Sequence, residues 1–352
     1  MSLRARVQVD AEKAVPESGN NHHIPQPEHR PKMHRHYKTT TQPFIGRLGG
    51  NQEFALDESD LLNASKIKAV PDAAPCMSLR DQLDLNGFIL PGLWKAAILE
   101  GMGSFLLNFL TIYINLSPDI LPTAPSPEWG PFANATFIGP LIGGITNWLL
   151  ITLFTYTFGG LTGAHLNPTI TIATFFARLC SLPRMVLYVF SQTAGSALAG
   201  LMVRAAYGSR DFKTGGCFLF TDIATVGSAW ALEFMCTSAL LFLAFGVGLD
   251  PRQKKIIGPS LGPFLVGMTV GLISFGTAFS KFGSGGASMN PARCFGAFVG
   301  SRFVGWHWIH WVADISAGMV HGLFYFLIPP WEELEGNPAN LASGGRMSPE
   351  EE

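Results

Sequence analysis

Two stretches carry residues that sit oddly in apolar surroundings: TGAHLNPTITIATFFARL (162–179) and SGGASMNPARCFGAFVG (284–300). Each places an Asn-Pro step at the head of a helical run too short to cross a bilayer. Asn is a favoured helix N-cap, and Pro fits the first helical position, where its missing N–H costs nothing. Asn167-Pro168-Thr169 and Asn290-Pro291-Ala292 therefore read as helix starts. A helix starting at membrane depth leaves orphan N–H groups and the positive end of a dipole there. Such backbone is tolerated only where protein or water surrounds it. Two facing starts would repel cations and protons, while the Asn carboxamides donate hydrogen bonds to a passing neutral solute. A lone Asn-Pro is ordinarily a loop or a cap, but its paired occurrence points to a pore.

The elements that must hold these starts are spans. The chain has 352 residues, 47% hydrophobic and only 14% charged, where a soluble domain carries about 25% charged residues. It reads as an all-α polytopic membrane protein. A net charge of −1 gives no footing for nucleic acid. Six segments are long enough to span, at about 91–115, 135–158, 183–206, 224–247, 256–279 and 304–328. The two Asn-Pro runs, 167–178 and 290–300, lie between them as re-entrant half-helices. Residues 1–88, rich in His, Pro and charge, read as a disordered tail, and 331–352 as a short acidic one. The channel domain is then 89–330. The loop after the fourth span carries Arg252, Lys254 and Lys255, whereas the loop after the first has no Lys or Arg. The positive-inside rule then puts both tails in the cytoplasm. On that topology the sequons at Asn115 and Asn134 face outward close to the membrane, and the one at Asn63 is silent.

The two halves echo each other, at about 90–206 and 224–328. AAILEGMGS in the first span precedes the first Asn-Pro, and AWALEFMCTS in the fourth precedes the second. Glu100 thus matches Glu233, and Asn167 matches Asn290. Three spans per half put the halves in opposite orientations, the inverted-repeat plan of membrane transport proteins.

Together these motifs resemble the major intrinsic protein (aquaporin) family over about residues 90–328. NPARC combined with Gly215-Gly216-Cys217 is similar to its X-intrinsic protein branch. The resemblance implies a homotetramer in a lipid membrane, with one pore per subunit and passive flux. The branch is associated with hydrogen peroxide, urea, glycerol and boric acid, often with weak water flux. The family's four filter positions carry over by spacing to Asn147, Ala278, Ala287 and Arg293. Bulky side chains are absent from this set, so a wider and more polar constriction than a water filter is expected, with Arg293 offering five donors to solute. Thr169 stands where the family usually has Ala, which puts the pore width there in question. A mainly water-selective aquaporin is the alternative, followed by an ion-coupled small-solute transporter.

For Glu100 and Glu233 the resemblance implies a structural role, accepting hydrogen bonds from the loop ahead of each half-helix. A proton relay is the other reading. An ion-coupled carrier would need further intramembrane acids beyond these two. His165, His310 and His321 read as packing residues, and Gly139, Gly143, Gly318 and Gly322 as sites of close helix contact. Of five cysteines, Cys76 falls in the tail, Cys180 at the end of the first half-helix and Cys236 in a span. Cys217 and Cys294 are expected at the outer vestibule, either paired or redox-sensitive, or as two independent thiols. Ser181, after Arg178, resembles the phosphorylated loop serine of plant plasma-membrane relatives; a plain helix cap serves equally. No metal cluster, cofactor motif or nucleophile–base pair is evident, so an enzyme is not expected. The plasma membrane is the expected location.

Overall fold

The computed structural model describes residues 77–118, 137–248, 257–280 and 283–328. The chain before Met77, the whole C-terminal tail, the sequons at Asn63 and Asn134, the basic loop with Arg252, Lys254 and Lys255, and Cys76 lie outside the described residues. A single helical turn, α1 (Leu79–Gln82), leads through a 3-10 segment, Leu85–Ile89, into α2 (Pro91–Ile114). Then follow α3 (Ile138–Thr162), α4 (Pro168–Phe176), α5 (Leu182–Tyr207), α6 (Val226–Gly248), α7 (Gly258–Ser280), α8 (Pro291–Gly300) and α9 (Trp308–Leu327). Helices α4 and α8, of 9 and 10 residues, are the half-helices. The two short strands β1 (Leu116–Pro118) and β2 (Phe212–Thr214) pair antiparallel, with Leu116 opposite Thr214.

The packing repeats with the sequence. In each half the first span lies against the third, α2 on α5 and α6 on α9. Each third span then covers the half-helix of the other half, α5 on α8 and α9 on α4, while α3 meets α7 at the centre. The halves are thus interleaved, and neither half-helix is buried by its own repeat alone.

The close crossings need missing side chains. A Cβ at Gly200 would overlap the Gly296 carbonyl oxygen, so α5 and α8 touch backbone to backbone. Gly318 and Gly322 bring α9 against α4 in the same way. Gly143 stands at a close contact as expected, since a Cβ there would overlap Asn115 at the end of α2, and it also lines the central cavity. Gly139, expected likewise, lines the cavity with nothing among the described residues packed against it. The contact of α3 with α7 is made by Gly144 against Gly271.

The protein is an integral multi-pass membrane protein. Five of its described helices, α2, α3, α5, α6 and α7, are long and apolar enough to span. Helix α9 has the length, at 20 residues, but carries His310, Asp314 and His321, which lower its apolarity. All three face the protein interior, where intramembrane polar groups are held. Large apolar side chains such as Ile98, Leu153, Met235, Phe242, Leu272 and Leu327 point outward, as a lipid-facing surface requires.

The expected tail through residue 88 ends earlier, because the chain is packed from Met77 onward. Met77 is 2% exposed, and it exchanges hydrogen bonds with Arg178, N–H to carbonyl and carbonyl to Nε, both at 2.9 Å. Gln82 Nε2 donates to the Phe175 carbonyl at 2.6 Å and the Cys180 carbonyl at 3.3 Å. The end of a short helix leaves carbonyls without intrahelical partners. A polar segment that satisfies them shows no apolar period, so its sequence looks like tail.

Candidate functional site

The half-helix starts meet at the middle of the molecule. Asn167 Oδ1 accepts the Thr169 N–H at 2.9 Å, and Asn290 Oδ1 accepts the Arg293 N–H at 3.2 Å, so each caps its own helix. Each Nδ2 then crosses to the other half: Asn167 donates to the Met289 carbonyl at 2.7 Å and Asn290 to the Leu166 carbonyl at 3.2 Å. One N–H of each carboxamide remains for the cavity that both residues line.

The loops that deliver these caps are strained alike. Leu166 (φ 49°) and Met289 (φ 58°), immediately before each Asn, are left-handed, as are Gly163 (φ 90°) and Gly286 (φ 85°) three residues earlier. A bulky residue in that region costs about 1–3 kcal/mol and persists only where its surroundings enforce it. The enforcement comes from the two glutamates. Glu100 accepts the His165 N–H at 3.0 Å and the Leu166 N–H at 2.7 Å, together with Thr162 Oγ1 at 2.6 Å and Gln192 Nε2 at 2.9 Å. Glu233 accepts the Ser288 N–H at 3.0 Å and the Met289 N–H at 2.7 Å, with His310 Nδ1 3.3 Å away. Both carboxylates are buried, which charge-assisted bonds of this kind make affordable.

Asn147, Ala278, Ala287 and Arg293 line one cavity of about 410 Å³ that also reaches Asn167 and Asn290. The carried-over positions therefore come together, from α3, α7, the loop before α8 and α8 itself. The guanidinium differs from its expected use. Nε donates to Thr111 Oγ1 at 3.2 Å, Nη1 to the Gly215 carbonyl at 2.8 Å, and Nη2 to the Thr111 carbonyl at 3.0 Å. Each nitrogen is already engaged by protein, because a charge 7% exposed must have its donors satisfied. Arg293 keeps its positive charge at the wall, but its donors are not held open for solute.

Thr169 also departs from expectation. It is fully buried with its carbonyl against Gly318 of α9, and Ile170 rather than Thr169 lines the cavity. Its hydroxyl therefore does not narrow the pore. Pro168, Pro291 and Ala292 are buried in the first turns of their helices.

The loop holding Arg293 is tied down. Cys217 and Cys294 form a disulfide across 77 residues of sequence, with Cα atoms 5.2 Å apart. The bond fastens α8 to the Gly215-Gly216-Cys217 loop whose carbonyl holds the guanidinium. Strands β1 and β2 fasten that loop to the end of α2, where the Gly215 N–H donates to the Asn115 carbonyl at 3.1 Å. Nearby on the surface, a hydrogen bond from Arg302 at 2.9 Å pulls the Asp211 carboxyl below its ordinary range.

The other residues singled out in the sequence lie as follows. His165 is buried, with Nδ1 3.1 Å from Thr171 Oγ1, and it lines the cavity. His321 packs edge-on to Phe245, and His310 against Phe298 and Trp306. Cys180 is buried after the end of α4, Cys236 is a half-buried thiol in α6, and Ser181 is the half-buried N-cap residue of α5. No group of three metal-binding side chains occurs among the described residues.

Three features escape the sequence reading. Asn108, Thr111 and Asn115 form a polar stripe on α2 that lines the cavity. Their spacing of three and four residues, one helical face, is the signal that reveals them. Second, Asn115, singled out in the sequence only as a sequon residue, has its side chain in the cavity wall. Third, Asp314 is an intramembrane acid beyond the two glutamates. It is fully buried in α9, where it accepts from Thr237 Oγ1 at 2.6 Å, and it does not line the cavity.

Residues 90–325 match the description "Major intrinsic protein". The chain belongs to the major intrinsic protein family. Relatives within it include a probable aquaporin TIP4-1 from Oryza sativa subsp. japonica, 30% identical over 70% of this chain and 91% of its own length. Aquaporin-B from Dictyostelium discoideum is 28% identical over 62% of this chain and 79% of its own length. The fold is also that of the aquaglyceroporin from Plasmodium falciparum, at TM-score 0.50 and 21% identity, covering 68% of this chain and 99% of that one. Members of the family are channels rather than enzymes, and this chain is a passive channel for water or small solutes.

Proposed function

We propose that the channel passes small uncharged solutes, namely hydrogen peroxide, urea, glycerol and boric acid, with water alongside, and refuses ions and protons. The observation that carries this reading is the make-up of the cavity wall: two alanine methyl groups and a carboxamide stand at three of the four filter positions. That wall leaves room for solutes of several heavy atoms and offers them hydrogen bonds. The buried charge of Arg293 and the two facing helix starts supply the barrier to cations. The likeness of NPARC and Gly215-Gly216-Cys217 to the X-intrinsic branch supports the same solute class. The reading includes a homotetramer in the plasma membrane with both tails cytoplasmic, and Ser181 as a phosphorylation site.

Stopped-flow permeability of proteoliposomes to water, glycerol, urea and hydrogen peroxide tests it, with flux expected to be insensitive to protonophores. Asn147→Phe combined with Ala278→His should lower glycerol and urea permeability about tenfold relative to water, since added bulk closes the wide constriction. An unchanged solute ranking in the double variant would show that these residues do not form the filter.

A further inference from the structure

We propose that Asn115 is a fifth solute-selecting residue, forming with Asn147 a carboxamide pair that favours solutes carrying a hydrogen-bond donor and acceptor on one small skeleton, urea-type amides above all. The inference rests on the solute reading above and names the groups that do the recognising.

Asn115 is the C-cap residue of α2, and its side chain occupies the space left by a glycine: a Cβ at Gly143 of α3 would overlap Asn115 Oδ1. Its orientation follows from its partners. The Thr111 carbonyl, 2.7 Å away, can only accept, so Nδ2 must face it. The second N–H of the same Nδ2 points to Asn147 Oδ1 at 3.3 Å, which fixes that amide as well. One acceptor and one donor group are then left over, Asn115 Oδ1 and the Asn147 amide N–H2. Among the described residues neither has a protein partner, and both side chains line the cavity.

The rest of the filter cannot supply this polarity. Every nitrogen of the Arg293 guanidinium is engaged by Thr111, Gly215 and their neighbours. Ala278 and Ala287 offer methyl groups. The Asn pair is therefore where a solute at this level exchanges its hydration for protein hydrogen bonds. The backbone of Asn115 is held by the Gly215 N–H at 3.1 Å and by the β1–β2 pairing that begins at Leu116. An amide anchored in this way needs no reordering when a solute arrives. A urea-type molecule can accept from Asn147 Nδ2 through its carbonyl and donate to Asn115 Oδ1 through an N–H. A polyol satisfies the pair less well, because its hydroxyls lack the fixed in-plane arrangement of an amide.

The test uses the full chain in proteoliposomes, with urea, glycerol and water permeabilities measured for wild type, Asn115→Leu, Asn115→Ala and Asn115→Ser. Leu keeps the bulk without polarity, Ala removes both, and Ser keeps a bond to Thr111 but loses the reach to Asn147. All three should lower the urea-to-water permeability ratio about fivefold, the factor commonly carried by one hydrogen bond, and the glycerol ratio less. Monodispersity and melting temperature in detergent identify folded variants; if Leu fails to accumulate, Ala and Ser decide. A rise of urea and water together in Asn115→Ala would make Asn115 a steric plug and overturn the proposal. Ratios that stay at wild type in the folded variants would overturn the Asn115 assignment alone. Wild-type vesicles passing water but neither urea nor glycerol would overturn the solute reading and this inference with it.

Discussion

The loops that feed α4 and α8 do the same job with different supports. Ahead of both half-helices a buried glutamate grips two successive N–H groups while the residue before the Asn stays left-handed. Around Glu100 the other partners are Thr162 and Gln192, which do not titrate. Around Glu233 stands His310, and the same α9 helix carries Asp314 on Thr237. Among the described residues, α8 carries a guanidinium at its start where α4 has none, and a disulfide fastens α8 to the strand-bound mouth. The two loops share one device for starting a helix at membrane depth. Around the second, a crosslink and a buried cation are added to it.

The sharpest way to break this equivalence is to remove the grip itself. Glu100→Ala and Glu233→Ala should each leave two buried N–H groups unmatched beside a strained residue, at about 1–3 kcal/mol per group. Both variants should therefore lose most of their folded yield in membranes, measured by fluorescence size-exclusion chromatography. A loss in only one of them would show that the two loops are not mechanically alike. Next in size is the crosslink between Cys217 and Cys294 on the second side. Cys217→Ser or reduction should lower the melting temperature by several degrees, in keeping with about 2–4 kcal/mol for a native disulfide. Mass spectrometry after alkylation without reduction should find both thiols blocked, whereas two labelled cysteines would remove the crosslink from the comparison. The smallest effect belongs to Thr169. Because it turns away from the cavity, Thr169→Ala should change the solute-to-water ratios by less than about twofold, within the scatter expected of a substitution off the pathway. A larger change would bring the first half-helix into selection.

Much of this was legible in the residues. Apolar runs of about 20 residues define spans without any tertiary information, because a bilayer demands internally satisfied backbone over a set thickness. The paired Asn-Pro steps mark helix starts for the local reason that one residue caps and the next needs no N–H. With Glu100 and Glu233 in register, they were enough to indicate inverted repeats and a pore between them. The direction of each side chain was decided only in three dimensions. Thr169 and Ile170 are adjacent in sequence, yet one is buried away from the cavity and the other lines it, since successive helical residues point to different sides. Asn115 read only as a sequon residue because nothing local reports that Gly143, on the next span, leaves a place for its amide. Arg293 read as five free donors because its acceptors, Thr111 and Gly215, come from a helix and a loop far away in sequence. Helix periodicity and capping act over a few residues, and so the chain by itself determines them. Whether a polar atom is open to solute depends on partners brought together from both halves, and only the packed structure decides that.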